Sequence, residues 1–308
     1  MNPPLGIALK LGAVTAFVAM QVLIKSTEGR VPPGEVVFFR SFFAFPVILA
    51  WLAWTRELRV GLRTDNPMSH VWRGVIGTSS MGLGFAGLQF LPLPEVTALS
   101  YAAPILTVIF AAMFLGEEVR AVRIFAVALG MTGVIIVLAP QLSGFGEGEG
   151  GAVRALGAVL VLMSAVFAAL AQIFLRKMVA TERAATVVLY FTLSSTLFSL
   201  LTIPFGWVLP GGRDVAFLIA AGALGGIGQG LLTSSYRFAP ASLVAPFDYA
   251  SMIFAIGLGY VLFAEIPTPQ TLAGGALVVA AGILIIWRES RLGMNRDKPR
   301  RAGAPPQG

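Results

Sequence analysis

Hydrophobic residues run along this chain in long stretches, interrupted at short intervals by charge, proline or glycine. A bilayer crossing needs about 20 mainly apolar residues. Ten stretches meet that need: 5–25, 34–54, 72–90, 95–115, 122–139, 155–175, 185–204, 214–236, 241–263 and 269–287. The connections between them are too short for a soluble domain. The pattern predicts an all-α membrane protein of ten transmembrane helices.

The pattern also repeats. The stretch from Phe238 to Ile286 echoes the one that starts at Phe90: Pro240 falls on Pro92, Tyr249 on Tyr101, Leu262 on Phe114 and Glu265 on Glu117. One added residue later, Gly282 falls on Gly133. The match extends backwards, with Gly222, Gly226 and Gly230 on Gly74, Thr78 and Gly82, Gln172 on Gln21, and Arg176 on Lys25. Self-similarity at long range marks a duplicated unit. It divides the chain into a first repeat (1–140), a glycine-rich flexible linker (141–154), a second repeat (155–287) and a basic tail (288–308) expected to be disordered. Five crossings per unit is an odd number, so the two units are expected to insert in opposite orientation. Inverted repeats of this kind are characteristic of secondary transporters, whose solute site lies near the midplane between the repeats.

Composition narrows the classes further. Charged residues make up 12% of the 308 residues and hydrophobic ones 56%, against about 25% charged in an ordinary soluble chain. The absence of cysteine excludes disulfides, thiolate metal sites and cysteine nucleophiles. The single histidine, His70, reads as part of a polar connection and cannot form a metal cluster alone. GTSSMG at 77–82 lacks the spacing of a nucleophile elbow. No catalytic constellation, cofactor or metal is therefore implied, and the chain is not expected to be an enzyme.

A net charge of +7 could suggest nucleic acid, but its placement argues otherwise. Arg56, Arg59, Arg63, Arg73, Arg120, Arg123, Arg176, Lys177, Arg183, Arg237 and the tail lie in alternate connections, and positive charge accumulates on the cytoplasmic side. Both termini are expected in the cytoplasm. The first apolar segment is too long for a signal peptide and lacks a cleavage pattern, so it is expected to stay as a helix.

Polar residues within the stretches are candidate site residues. Lys10, near the inner end of the first, reads as a snorkelling side chain. Arg40 in the second is deep enough to be costly, and such residues face a bundle interior, a salt-bridge partner or a solute. Small residues at four-residue spacing, Gly74, Thr78 and Gly82 in one half and Gly222, Gly226 and Gly230 in the other, suit close helix packing. Pro104 frees a backbone carbonyl within the fourth stretch. Asp248 is the one acid placed well inside a stretch, about 10 Å deep at 1.5 Å per residue. It is a candidate for solute binding, for a coupling proton, or for a structural hydrogen bond to tyrosine or a helix end.

The whole chain resembles the bacterial drug/metabolite transporters of the EamA type. The resemblance rests on the 5+5 duplication, FFRSFFAF in the second stretch, the Pro104 helix followed by FLGEE, and FAEIPT with GGALVVAAGILII near the end. It implies an inner-membrane carrier of a small solute, with helices one, three, four, six, eight and nine around a central cavity. On this chain the lining candidates are then Gln21, Tyr101, Gln172, Gln229, Asp248 and Tyr249. Met252 stands where a proline opposite Pro104 is expected, so the two halves should bend differently. Amides and tyrosines suit a neutral or cationic, partly aromatic solute. Riboflavin uptake is the first expectation, an S-adenosylmethionine or amino-acid/metabolite carrier the alternative, and a non-transporting membrane scaffold or a channel the alternative of another class.

Overall fold

The computed structural model describes residues 2–64, 66–115, 121–143, 149–178, 182, 184–239 and 241–296, and among them there is no strand. The helices are α1 (Pro3–Lys25), α2 (Pro33–Trp54), the short α3 (Leu58–Gly61), α4 (Pro67–Phe90), α5 (Leu93–Ser100), α6 (Ala102–Leu115) and α7 (Ala121–Ser143). The second half holds α8 (Glu149–Met178), α9 (Ala184–Leu200), α10 (Gly212–Phe238), α11 (Ala241–Val244), a 3-10 turn (Ala245–Tyr249), α12 (Ala250–Phe263) and α13 (Pro269–Arg296). Local chemistry sets several of these starts. Asn2 and Asn66 accept the amides of Leu5 and Ser69 and cap α1 and α4, each followed directly by proline. A side-chain acceptor before a proline-led first turn satisfies helix-end amides that have no partner of their own.

The helices overrun two boundaries set by the sequence. α7 continues to Ser143 and α8 begins at Glu149, well inside the expected linker at 141–154. α13 continues to Arg296, so the expected tail is helical over its first residues. The Gly116–Glu118 corner and the chain beyond Arg296 lie outside the described residues.

Eight segments are long and apolar enough to cross a membrane, and α9 is a shorter apolar helix. α4 has the length but not the hydropathy. Its polar groups are turned into the bundle. His70 is buried and packs on the Tyr190 ring at 4.7 Å, and the Arg73 guanidinium lies over Phe191 at 4.3 Å. This corrects the placement of His70 in a polar connection: Pro67 starts the helix three residues earlier, and α9 covers the ring.

The main contacts join one half to the other. α1 packs on α10, α4 on α8, α2 on both α9 and α10, α4 on α9, and α7 on α13. Under the sequence correspondence α1 matches α8, α2 matches α9, α4 matches α10 and α7 matches α13. Exchanging the halves therefore turns this set of contacts into itself. Where the contact is closest, glycine is required: a Cβ on Gly133 would sit 2.6 Å from the Gly274 carbonyl, and one on Gly274 2.5 Å from that of Gly133.

Candidate functional site

One face of α1 organises the polar interior. Lys10, Val14, Phe17, Gln21 and Lys25 follow each other at three- and four-residue spacing, which places them along one side of a helix. Opposite this face both halves carry a broken helix. α5 ends at Ser100 and α6 begins at Ala102, and Pro104 cannot donate the amide hydrogen that the Ser100 carbonyl would otherwise receive. In the second half the break falls on the 3-10 turn, which contains Pro246. The break sits at Tyr101 in one half and ends at Tyr249 in the other, and the two rings meet edge to face at 5.1 Å.

A cavity of about 320 Å³ opens between these elements, lined on α1 by Val14, Phe17, Val18, Met20 and Gln21. Thr97, Ser100, Tyr101, Asp248 and Ser251 complete it. Its hydroxyl hydrogens are committed. Thr97 donates to the Leu93 carbonyl at 2.9 Å, Ser100 to Val96 at 2.7 Å and Ser251 to Asp248 at 2.7 Å. The Tyr101 phenol lies 2.6 Å from Ser251 Oγ and 3.4 Å from the Tyr249 carbonyl. The hydroxyl oxygens are left as acceptors.

An ion pair stands at each end of the α1 face. At one end Lys10 Nζ lies 2.7 Å from Asp248 Oδ1, with the lysine 2% exposed and the aspartate 53% exposed. The Tyr236 ring lies 5.7 Å from the same ammonium. At the other end Lys25 Nζ lies 2.7 Å from Glu265 Oε1, both largely buried. Glu265 Oε2 accepts the Leu93 amide at 2.8 Å, and Lys25 also donates to the Leu91 carbonyl. Glu265 thus ties α1, α12 and the start of α5 together.

Gln21, Tyr101 and Asp248 line the cavity, and Tyr249 stands behind Tyr101 with its hydroxyl packed tightly against Gly282. Gln172 is exposed and Gln229 half-buried, and neither lines this cavity. Arg40 is buried between α1, α2 and α10 beside Met20 and Gly225, and its Nε has no hydrogen-bond partner. Lys10 is a correction: it does not snorkel but is the partner of Asp248. The signal was present, since Lys10 lies seven residues into α1 and Asp248 seven residues beyond the start of α11, the same depth of about 10 Å.

The glycines divide. A Cβ on Gly222 would lie 2.6 Å from Phe43 Cβ and one on Gly226 2.9 Å from the Ala44 carbonyl, while Gly74 is pressed on Ser194. Gly82 and Gly230 meet nothing closer than 3.9 and 3.5 Å. Gly82 instead lines a larger cavity of about 640 Å³ between α2, α4, α8 and α9, walled mainly by apolar side chains with Thr78, Ser79, Ser199 and Thr202. That cavity has no charged lining, and Gln21, Tyr101 and Asp248 line the smaller one instead.

The model of the EamA-like transporter family matches residues 4–139 and again residues 155–287. Among curated proteins, the pseudopaline exporter of Pseudomonas aeruginosa is 30% identical over 285 residues, covering 91% of this chain and 95% of that protein. The S-adenosylmethionine uptake transporter of Rickettsia felis is 26% identical, covering 93% and 94%. The riboflavin transporter of Rhizobium johnstonii is 28% identical, covering 93% and 89%. A solved crystal structure superposes with a TM-score of 0.64 at 21% identity, over 93% of this chain and 98% of that one, a likeness of fold.

Proposed function

The chain belongs to the EamA-like transporter family, and from that premise we propose that it is a secondary active carrier moving a small organic metabolite across the bacterial inner membrane by alternating access. In this reading the two repeats form ten crossings, insert in opposite orientation, and leave both termini in the cytoplasm. The observation that carries it is the cavity against α1, which lies along that helix between Lys10 and Lys25 and is lined by Gln21, Tyr101 and Asp248 beside the broken helix of each half. Discontinuous helices around a midplane site are the usual construction of such carriers. Rocking of one repeat against the other would open one end while the other stays closed. Asp248 is then the candidate for solute contact or a coupling proton.

Riboflavin uptake is one substrate reading, supported by the tyrosine pair and by the Rhizobium relative. The Lys10 partner of Asp248 favours the other, a solute with charges of both signs, as the S-adenosylmethionine relative suggests. Counterflow in proteoliposomes tests the carrier itself. Vesicles loaded with unlabelled solute should accumulate the labelled form transiently above its outside concentration, for at least one of riboflavin, S-adenosylmethionine, methionine and tryptophan. A channel gives only downhill equilibration and a scaffold gives no flux. Either result from folded protein contradicts the carrier reading.

A further inference from the structure

We propose that the turn joining α2 to α4 binds the phosphate head group of an anionic phospholipid, held by Arg56, Arg59 and Arg63. The site serves the bilayer rather than the solute, and it stands whether or not the chain is a carrier.

The backbone gives the first reason. α2 ends in a paired hydrogen-bond motif, with the Arg56 amide on the Ala53 carbonyl at 3.1 Å and the Glu57 amide on the Leu52 carbonyl at 2.9 Å. Such an ending takes a left-handed residue at the position of Arg56, which glycine usually fills. Arg56 adopts it with φ at 58°, at a steric cost that glycine does not have. Its side chain is exposed and forms no ion pair among the described residues. A strained residue whose side chain gains no ionic partner inside the fold points to a contact outside it.

Anchoring gives the second. Leu58 packs against the apolar cluster between α2 and α9. The Leu62 carbonyl accepts from the Tyr190 hydroxyl at 3.2 Å, and the Arg63 carbonyl from the Thr186 hydroxyl at 3.4 Å. The backbone is thus tied to α9 while the Arg59, Leu62 and Arg63 side chains stay exposed. Among the described residues neither Arg59 nor Arg63 is in an ion pair. The acid described in this turn, Glu57, is half-buried, and Asp65 lies outside the described residues.

Depth gives the third. Trp54, at the end of α2, is 89% exposed, and Trp72, in α4, is 55% exposed. Exposed tryptophans of membrane proteins sit at the level of the lipid head groups. The three arginines lie in sequence between these two rings, which puts their guanidiniums at the level of the phosphates. A guanidinium grips a phosphate through two parallel hydrogen bonds. The charge pattern places this turn on the cytoplasmic side, where basic residues next to a helix end meet anionic lipid.

The chain's own tryptophan reports occupancy. Full-length protein is reconstituted in vesicles of brominated phosphatidylglycerol mixed with phosphatidylcholine, and of brominated phosphatidylcholine mixed with phosphatidylglycerol. The fluorescence that Trp54→Phe removes is the signal from beside Arg56. The site predicts that phosphatidylglycerol quenches this signal at a lower mole fraction than phosphatidylcholine does. Each arginine at an anionic surface contributes a preference of about 5-fold. Arg56→Gly should therefore weaken the preference about 5-fold, and Arg56→Gly with Arg59→Gln about 25-fold. Glycine suits the left-handed position, so Arg56→Gly should melt at or above wild type, which separates lost binding from lost folding. Adding Met68→Arg to Arg56→Gly restores the charge further along the chain and should not restore the preference. Equal quenching by the two lipids, an unchanged preference in Arg56→Gly, or full recovery with Met68→Arg overturns the proposal. So does displacement of the brominated lipid by inorganic phosphate, which would make this a site for a soluble anion. Solute flux plays no part in these measurements, so the lipid site and the carrier reading stand or fall separately.

Discussion

Gly226→Leu is expected to leave little or no folded protein in the membrane. Even the Cβ of an alanine here would lie 2.9 Å from both the Ala44 carbonyl and Val47 Cβ on α2. The neighbour is helix backbone, which cannot rotate aside. Overpacking a tight interior costs about 1–3 kcal/mol and sometimes more, and leucine adds several atoms beyond that Cβ. Gly222→Ala should be damaging for the same reason, with Phe43 Cβ at 2.6 Å. Gly230→Ala, at 3.5 Å from Trp51, and Gly257→Ala, with nothing within 4 Å, should be tolerated. Size-exclusion recovery of Gly226→Leu and thermal unfolding of the three alanine variants read the series. Equal melting temperatures across it would mean that α10 does not pack on α2 in this way.

Glu265→Ala is expected to be the most damaging change of a charged residue. It removes the partner of Lys25 and the acceptor of the Leu93 amide in one step. Breaking a buried ion pair from one side costs about 3–5 kcal/mol. Because both side chains keep some exposure, the low end, about 3 kcal/mol, is the expected loss. Glu265→Gln keeps an acceptor for Leu93 and should lose less. Combining it with Lys25→Met, which leaves no stranded charge, should recover most of the stability. The melting temperatures of purified Glu265→Ala, Glu265→Gln and the double variant decide this. An alanine variant that melts with wild type would show that the pair ties nothing together.

Much of this was legible in the residues. Long apolar runs, the offset that carries Tyr101 onto Tyr249, and the glycine spacing of α10 are local or periodic signals. So is Pro104, whose missing amide hydrogen breaks the fourth stretch next to Tyr101. Two things were harder to read. α4 looked like an ordinary crossing, because its polar side chains meet their partners on α9 only after packing. Lys10 looked like a side chain reaching for the interface, since its position on one helix says nothing of what stands beside it. Its partner lies 238 residues further on, in the other half of the chain. Depth was the available clue, and comparing it across the two halves would have paired Lys10 with Asp248. Gln172 shows the converse: equivalence to Gln21 in the other repeat did not place it in the cavity, and Gln229, on the glycine face of α10, does not line it either.

The account stands most directly on access to Ser100, which is exposed and lines the cavity between the two ion pairs. The chain has no cysteine, so Ser100→Cys introduces a single thiol. Membrane-impermeant maleimide, applied to right-side-out and to inverted vesicles, reports which face reaches it. Alternating access predicts labelling from both faces, slowed by saturating transported solute on either side. Labelling confined to one face, with no effect of solute, would contradict a cavity that opens in turn to each side of the membrane.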